Sequence, residues 1–335
     1  MPGETYLAAG VNLQAAQKAT ESIKALASKT LQPEVLGGVG FFGGMYQLAG
    51  YRQPVLVSST DSPGTKLKIA TMMGRFDTVG IDVVNHCVND VFTSGAKPIF
   101  FLDYIGVGHL VPEMVEALVK GVAQACQAVG CSLVGGETAE LPGIYPAEGF
   151  DLAGFAVGVV EKDAILDGST IAEGEVLLAI PSKGLHTSGY SLARKVFRLE
   201  DDPSVLDRTL PGLSGTLWDA LMEPHRCYYP LLEPVLHLIK GMAHITGGGL
   251  PENVPRILPK GLGARFDTSA WEVPPIFSLI QEAGQVERDE MFRVFNMGVG
   301  MVLACAPDKT DEVRRLVPEA RVVGEVVKGD EVVLR

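Results

Sequence analysis

The clearest pattern of hydrophobic and polar positions along the chain lies in residues 111–129. Its apolar side chains recur every three or four residues, at Val111, Met114, Val115, Leu118, Val119, Val122, Cys126 and Val129. This spacing places them on one face of an α-helix. Pro112 suits the first turn of that helix, and Gly130 suits the position just after its end. Two further amphipathic helices are predicted, over residues 12–29 with Asn12 as the N-cap and over residues 79–93.

Short apolar runs between these helices predict strands. In the first half of the chain they occupy residues 54–60, 97–105, 131–134 and 150–160. Alternation of strands and helices predicts an α/β or α+β fold. The polar, turn-rich segment 163–174 is a natural boundary. We therefore predict two domains, an N-terminal one over 1–165 and a C-terminal α/β domain over 170–335.

The second half of the chain predicts its own set of elements. These are a strand at 175–180, a helix at 190–198, a glycine turn at 247–249, a helix near 276–283, and strands at 294–304 and 320–334.

Composition narrows the classes of function. The 335 residues carry 28 basic and 40 acidic side chains, and the net charge of −12 disfavours broad binding to nucleic acids or anionic membranes. Five scattered cysteines indicate neither a disulfide framework nor a zinc site. No signal-peptide pattern opens the chain, and its longest uncharged stretch, 35–51, is too rich in glycine for a membrane helix. We predict a soluble, cytoplasmic protein that acts on a small molecule.

The strongest local signal for chemistry follows the strand at 54–60. The segment Ser59-Thr60-Asp61-Ser62-Pro63-Gly64-Thr65-Lys66 places a carboxylate, hydroxyls and an ammonium at the carboxyl end of a strand, where α/β proteins keep their ligands. Asp61 suits Mg²⁺, and Lys66 suits a phosphate. The spacing is not that of a Walker loop. A plain turn with a surface lysine explains the segment equally well.

Two more acidic positions suit magnesium. Asn89-Asp90 lies on the polar face of the helix at 79–93, near Asp82, Asn85 and His86. Gly135-Gly136-Glu137-Thr138 is predicted as a loop after a strand, where glycines let a ligand approach the backbone. Taken alone, Asn89-Asp90 also fits a solvated helix face, and Gly135–Thr138 also fits a loop with an acidic helix start. Asp61, Asp90 and Glu137 together would suit a magnesium–nucleotide complex, but spacing alone does not place them side by side.

Glycine-rich loops supply the remaining signals. The segment Gly184–Tyr190 precedes a helix, so its amides and hydroxyls suit an anion or a simple N-cap. Within it, His186 suits phosphate binding or acid–base chemistry, although a lone histidine is more often structural. The segment His244–Asn253 contains three consecutive glycines, and a loop that cradles phosphate would justify their entropic cost. A similar cluster at 37–44 contains hydrophobic residues and is interpreted as a flap.

Together these segments resemble the aminoimidazole ribonucleotide synthetase family, also called phosphoribosylformylglycinamidine cyclo-ligases. The resemblance runs from Tyr6–Val11 to the last strand. Its most specific segments are Ser59–Ala70, Cys87–Asp90, Gly95–Pro98, Phe100–Tyr104, Gly135–Gly143, Asp151–Val160, Gly184–Lys195, His244–Arg256 and Phe295–Met301. The chain departs from the family pattern at Ser62-Pro63, where Gly-Val is usual, and at Thr187-Ser188, where Ser-Asn is usual.

The resemblance implies an ATP-dependent ring closure in purine biosynthesis. Formylglycinamidine ribonucleotide and ATP would give aminoimidazole ribonucleotide, ADP and phosphate. ATP would phosphorylate the formyl amide oxygen, and the amidine-side nitrogen would then attack the activated carbon. The implied cofactors are ATP and Mg²⁺. The implied partner is a second copy of the chain, with the N-terminal halves sharing a β-barrel and the C-terminal domains packed outside.

Residue roles follow from the same resemblance. The catalytic residues would be Lys66, Asp61 and His186, and the magnesium ligands would be Asp61, Asp90 and Glu137. ATP or phosphate would be bound by Thr60, Gly64, Thr65, Lys66, Gly135, Gly136, Ser188, Gly189, Gly247, Gly248 and Gly249. Lys66→Ala and Asp61→Asn are each expected to suppress turnover while leaving folding intact.

Two alternatives stay open at this point. Another enzyme of the same superfamily, of the selenophosphate synthetase, hydrogenase-maturation or thiamine-phosphate kinase type, would use a different acceptor. A reactive cysteine near the N-terminal glycines would favour the first of these, and residues 1–50 contain no cysteine. A non-catalytic, nucleotide-binding regulatory protein is expected to lose the acidic residues and the lysine, which are present here.

Overall fold

The computed structural model describes residues 5–335, which form a mixed α/β fold of two compact units. The first unit takes the chain up to Val91 together with Ala96–Lys162. The second unit takes Phe92–Gly95 and Asp163–Arg335. Among the described residues, no helix is both long enough and apolar enough to cross a bilayer.

The first unit packs helices against one face of a four-stranded sheet. Its helices are α1 (Leu13–Ser28), α2 (Lys66–Met73), α3 (Asp77–Phe92) and α4 (Pro112–Val129). Its strands are β1 (Val35–Leu36), β2 (Met45–Tyr46), β3 (Pro54–Asp61), β4 (Lys97–Val107), β5 (Ser132–Glu140) and β6 (Phe150–Glu161).

Local sequence signals explain the ends of the helices in this unit. The side chain of Asn12 accepts hydrogen bonds from the backbone N–H groups of Gln14 and Ala15, which caps α1 as predicted. Helix α4 begins at Pro112 and is terminated by the following Gly130, which adopts the left-handed φ of 67° that favours glycine. Both helices are confirmed close to their predicted bounds.

The four-stranded sheet has the order β3-β6-β4-β5, with β4 and β5 parallel and the other neighbours antiparallel. On one face, the buried Phe101 and Ile105 of β4 belong to the core with α3 residues such as Val83. The other face keeps Leu56 and Phe155 exposed. We call these the helix-covered face and the open face.

The prediction of a loop at 135–138 is wrong, because β5 continues through these residues to Glu140. Gly135 and Gly136 pair with Leu102 and Asp103 of β4. A Cβ atom on Gly136 would lie 1.8 Å from Oδ1 of Asp103, so a larger residue would collide with that carboxyl group. The glycine signal here reflects the close approach of a neighbouring side chain inside a strand.

The second unit is built on a six-stranded sheet. Its strands are β7 (Val176–Pro181), β8 (Gly241–His244), β9 (Leu262–Phe266), β10 (Val299–Cys305), β11 (Arg321–Lys328) and β12 (Val332–Leu334). Its helices are α5 (Tyr190–Val196), α6 (Leu217–Met222), α7 (Tyr229–Leu232), α8 (Gly249–Asn253), α9 (Pro275–Gly284), α10 (Arg288–Val294) and α11 (Thr310–Leu316). Short 3₁₀ turns in the chain lie at Lys162–Ala164, Pro203–Asp207, Glu233–Leu238, Val254–Ile257 and Pro307–Lys309.

The sheet of the second unit has the order β12-β9-β11-β7-β10-β8 and is antiparallel except for the β12–β9 pair. Every residue of β10 is buried. The strand predicted at 294–304 begins later than expected, because the side chain of Asn296 accepts the N–H of Gly298 and closes a turn before Val299. The strand predicted at 320–334 is divided into β11 and β12 by a turn at Gly329, where φ is 120°.

Candidate active site

Asp61 is the last residue of β3 and lies on the helix-covered face. Its Oδ1 accepts the N–H of Ser62 (2.7 Å), and its Oδ2 lies 3.1 Å from Nε2 of His86 on α3. In the turn that follows, the N–H of Gly64 donates to Oγ of Ser62, and Gly64 has a φ of 58°. These contacts fix the loop between β3 and α2, and they leave Gly64 and Thr65 exposed.

Asp90 joins Asp61 in what we call the carboxylate cluster, formed by Asp61, His86 and Asp90. Oγ of Ser59 donates to Oδ2 of Asp90 (3.0 Å), and that oxygen lies 4.0 Å from Nε2 of His86. The side chains of Asp61 and Asp90 are 39% and 32% exposed, so their oxygens reach solvent. Hard oxygen donors of this kind fit Mg²⁺, which uses one or two carboxylates together with phosphate oxygens.

The sequence pattern indicates no role for His86 beyond a place on the polar face of its helix, and the structure places it between the two carboxylates. The signal that could have found it is its spacing, because His86 precedes Asp90 by four residues and shares its helix face. His86 is buried and contacts the side chain of Asp61, so it orients that carboxylate.

Lys66 is buried, whereas its predicted role in phosphate binding requires an ammonium group that a ligand can reach. It is the first residue of α2 and is completely buried, with Nζ 2.8 and 3.0 Å from the two carboxylate oxygens of Asp82 on α3. A buried ammonium held by a buried carboxylate does not present its charge to a phosphate in solvent. In this structure Lys66 is therefore the partner of Asp82, and it ties α2 to α3.

Glu137 does not join the carboxylate cluster within one chain. One row of paired residues crosses the four strands of the sheet, from Asp61 through Gly154 and Asp103 to Gly136. Glu137 follows Gly136 and therefore lies at the opposite end of this row from Asp61. Neighbouring strands lie about 4.8 Å apart, so the three spacings between β3 and β5 put Glu137 roughly 14 Å from Asp61. Strand alternation also places Glu137 on the open face. The predicted convergence of three carboxylates is thus limited to Asp61 and Asp90 in the single chain.

The open face carries a cavity of about 640 Å³ beneath the glycine-rich segment 39–44. The lining of this cavity includes Tyr104, Gly135, Glu137 and Phe155. Thr60 of β3 is exposed on the same face. A cavity of this size accommodates a small ligand. The predicted site residues of the first unit are therefore divided among the carboxylate cluster, the exposed loop at Gly64 and Thr65, the buried ion pair of Lys66, and the open face with this cavity.

In the second unit the structure brings the two predicted anion-binding loops together. A Cβ atom on Gly247 would lie 4.0 Å from Oγ of Ser188. Nδ2 of Asn253 donates to the carbonyl oxygens of Gly247 (3.2 Å) and Gly249 (2.9 Å), which fixes the second loop. Three of the predicted glycines have left-handed φ values, namely Gly189 at 80°, Gly248 at 93° and Gly249 at 58°.

Two of these glycines are also required by packing. A Cβ atom on Gly189 would lie 2.0 Å from the ring of Phe295, and one on Gly249 would lie 1.8 Å from the carbonyl oxygen of Phe292. Their presence in the sequence is therefore explained by close backbone packing as well as by the predicted binding of anions.

His186 is held in an unusual backbone conformation. Its φ of 58° is rare for a residue with a side chain and is typical of strained positions at functional sites. The backbone N–H of Lys183 donates to its Nε2 (3.2 Å). A Cβ atom on Gly300 would lie 2.8 Å from its Cε1 and 1.7 Å from the hydroxyl of Tyr228, so only glycine leaves room for both rings.

His186 is accompanied by two histidines that carried no predicted role. The rings of His186 and His225 stack with centroids 3.9 Å apart, and Nε2 of His225 lies 3.0 Å from Nε2 of His244. We call these three residues the histidine cluster, and all three are buried. His225 stands between Pro224 and Arg226 in an irregular segment, where no sequence pattern marks it.

Comparison with known proteins places this chain in a family. The model of the N-terminal domain of AIR synthase related proteins matches residues 46–160, and the model of the C-terminal domain matches residues 172–335. The chain belongs to the AIR synthase related family. One relative is the phosphoribosylformylglycinamidine cyclo-ligase of Geobacillus kaustophilus (strain HTA426). It is 50% identical to this chain over 334 residues, which cover 97% of this chain and 96% of that protein. The enzyme of the same name from Desulfitobacterium hafniense (strain DSM 10664 / DCB-2) is 49% identical over 332 residues, or 97% of each protein.

Solved structures share the fold of this AIR synthase related protein at much lower identity. Thiamine-monophosphate kinase from Stenotrophomonas maltophilia K279a has a TM-score of 0.67 and 17% identity, with 95% of each chain covered. The hydrogenase maturation protein HypE in complex with ATP has a TM-score of 0.69 and 14% identity, with 97% of this chain and 92% of that chain covered. At such identities the similarity concerns the fold.

Proposed function

We propose that this AIR synthase related protein is a phosphoribosylformylglycinamidine cyclo-ligase, which closes formylglycinamidine ribonucleotide to aminoimidazole ribonucleotide at the expense of ATP, in the cytoplasm. The observation that carries the proposal is 50% identity along 97% of the chain to a protein of that name. The kinase and hydrogenase-maturation alternatives have only fold-level similarity, at 14–19% identity. The carboxylate cluster and the two glycine loops support a catalytic protein over a purely regulatory one.

The proposed chemistry turns a poor leaving group into a good one. The formyl amide oxygen attacks the γ-phosphorus of ATP, and the bond from that phosphorus to the bridging oxygen of ADP breaks. The amidine-side nitrogen then attacks the formyl carbon, loses a proton, and phosphate departs with the former amide oxygen. In phosphoryl transfer the protein supplies mainly positioning and charge neutralisation. Bound Mg²⁺ would neutralise charge on the ATP phosphates.

Residues of each unit have distinct proposed tasks in this reaction. Asp61 and Asp90 hold magnesium, since their oxygens reach solvent and His86 orients Asp61. Gly189, Gly247 and Gly248 offer backbone N–H groups to phosphate oxygens, whereas the N–H groups of Ser188 and Gly249 donate to carbonyl oxygens within their own loops. His186 is the proposed substrate contact that the family resemblance implies, and the N–H of Lys183 holds its buried ring. Gly64, Thr65 and Gly135 remain proposed nucleotide contacts.

The substrate assay tests the proposal directly. Purified protein with ATP, Mg²⁺ and formylglycinamidine ribonucleotide should release one ADP for each aminoimidazole ribonucleotide formed, and ADP release should require that substrate. Equal ADP release with thiamine phosphate or selenide as the acceptor would favour another enzyme of the superfamily. Nucleotide binding without any turnover would favour a regulatory protein.

Asp61→Asn and Asp90→Asn should each lower kcat/KM by about 100-fold or more, because each removes charge at the proposed magnesium site. The Mg²⁺ concentration that gives half-maximal rate should rise in both variants. A matched control is Asp77→Asn in the first turn of the same helix, which lies 13 residues, or roughly 20 Å, from Asp90. Unchanged rates and magnesium dependence in the two site variants would remove the carboxylate cluster from the mechanism.

We propose that two copies of the chain associate through their open faces to form a shared β-barrel. Leu56 and Phe155 are 58% and 42% exposed there, although both lie in the middle of strands. The double variant Leu56→Glu/Phe155→Glu places charge on this face and should convert a dimer to a monomer in sedimentation equilibrium. A control is Leu316→Glu, an exposed position in the second unit. A monomeric wild-type protein would contradict the proposal.

A further inference from the structure

We propose that His225 is a positioning residue that fixes the ring of His186 and joins the two anion-binding loops, 184–189 and 244–249. The inference rests on the proposed function, since it assigns to His186 a contact with the substrate. It concerns a residue for which the sequence indicated no role.

The imidazole of His225 contacts both loops and the ring of His186. Nε2 of His225 lies 3.0 Å from Nε2 of His244, at the start of one loop. Its Nδ1 lies 3.4 Å from Oγ1 of Thr187 in the other loop. Its ring face stacks on His186, with planes 17° apart. His225 is 1% exposed, so solvent does not compete for these contacts.

The backbone that carries His225 is itself anchored. The next residue, Arg226, donates through both terminal nitrogens to the two carboxylate oxygens of Glu319. The hydroxyl of Tyr228 donates to the carbonyl oxygen of Pro181 at the end of β7 (3.0 Å). A bidentate ion pair and a buried hydrogen bond restrict movement of the segment. His225 can therefore act as a fixed support for the loops.

His186 needs such a support because of its backbone. A φ of 58° persists only where surrounding contacts over-determine the conformation. The hydrogen bond from Lys183 holds the edge of the ring at Nε2, and His225 covers its face. Because Nε2 of His186 accepts a hydrogen bond, the proton of the neutral ring lies on Nδ1. His225 thus helps to set both the position and the orientation of the ring.

A zinc site is the other interpretation of three buried histidines, and the stacking argues against it. An imidazole binds a metal through a lone pair that lies in the plane of its ring. The planes of His186 and His225 are nearly parallel, and their centroids are 3.9 Å apart, so their lone pairs do not meet at one ion. The cluster is therefore arranged for stacking and hydrogen bonding.

The first test compares two substitutions of His225. His225→Phe keeps a flat ring against His186 and removes both nitrogens, and we expect kcat to fall about 10- to 100-fold with a smaller change in KM. His225→Gln keeps a polar group toward His244 and should restore part of the lost kcat. His237→Gln, at an exposed histidine of the same unit, is the control and should behave as wild type. Full activity of His225→Phe would overturn the proposal.

The second test separates positioning from a general structural role. Calorimetric affinity for the ribonucleotide substrate should fall in His225→Phe and in His186→Ala, and the double variant should be no weaker than His186→Ala. Additive losses would show that His225 does not act through His186 and would overturn the proposal.

A third measurement remains informative if the wild-type protein fails to cyclise the substrate, an outcome that would reject the proposed function alone. The ¹⁵N signals of the His186 imidazole should show the Nδ1–H form in wild type and should shift or broaden in His225→Phe. An unchanged His186 spectrum in that variant would overturn the positioning role.

Discussion

Replacing Asp82 with asparagine should lower the free energy of unfolding of the first unit by about 3–5 kcal/mol. Lys66 and Asp82 are both fully buried, and the ammonium lies 2.8 Å from a carboxylate oxygen. The substitution removes the compensating negative charge and leaves the ammonium inside the protein. Breaking a buried pair on one side costs much more than the pair contributes as a whole, because the remaining charge is still desolvated. Lys66→Ala should destabilise the unit similarly, which corrects the expectation that it leaves folding intact.

Urea denaturation measures this effect. Both tryptophans of the chain, Trp218 and Trp271, belong to the second unit, so comparing tryptophan fluorescence with far-UV circular dichroism separates the transitions of the two units. The double variant Lys66→Met/Asp82→Leu should recover most of the stability, since it removes both charges and keeps apolar volume. Lys18→Met is the matched control, because the Lys18–Glu113 pair is exposed and screened by solvent, so its loss should change the free energy of unfolding little. A loss in Asp82→Asn no larger than in this control would contradict the prediction.

The same ion pair connects stability to the carboxylate cluster. Lys66 follows the loop that begins at Asp61, and Asp82 precedes Asp90 on α3 by about two turns. The pair therefore fixes the two elements that carry the proposed magnesium ligands. Its contribution to catalysis would be to hold Asp61 and Asp90 at a constant separation.

Secondary structure was predictable where one physical signal dominated. Helix α4 combines a regular apolar face with Pro112 and Gly130 at its ends, and its observed bounds match. Strand β3 was likewise found from a short apolar run before a turn. The strand Ser132–Glu140 was predicted only as far as residue 134, because its glycines resemble a loop in the sequence. Their cause is the side chain of Asp103 on the neighbouring strand, which only the pairing of β4 with β5 reveals.

The sequence indicates which residue types belong to the candidate site, but it indicates less about where they lie relative to one another. Asp61 and Asp90 do lie near each other, since a strand end and a helix face meet at His86, and their magnesium role stays a prediction. The position of Glu137 depends on strand order and on which face of β5 it occupies, and neither follows from its spacing along the chain. Lys66 was assigned to phosphate because its partner, Asp82, lies on a separate helix. His225 was missed because its contacts all come from residues distant in the sequence.

Asp103 should make the free energy of unfolding fall as pH rises from about 4 to about 7. Burial in the first unit raises the pKa of this carboxyl from 3.8 to about 7. The folded protein therefore retains a proton that the unfolded chain releases within this interval. The stability associated with the proton is complete below the unfolded pKa and is lost as pH rises through the folded pKa. The whole loss is about 4 kcal/mol, with about 3 kcal/mol of it between pH values of roughly 5 and 8.

Asp103→Asn tests this assignment because asparagine keeps the shape of the neutral acid and does not ionise. Its unfolding free energy should lack the decrease between pH values of about 5 and 8 that wild type shows. Asp308→Asn, at an exposed aspartate, should retain the wild-type decrease. Equal pH dependence in wild type and Asp103→Asn would show that Asp103 ionises normally. The expected difference has a structural cause, since the absence of a side chain at Gly136 provides the space in which this carboxyl is buried.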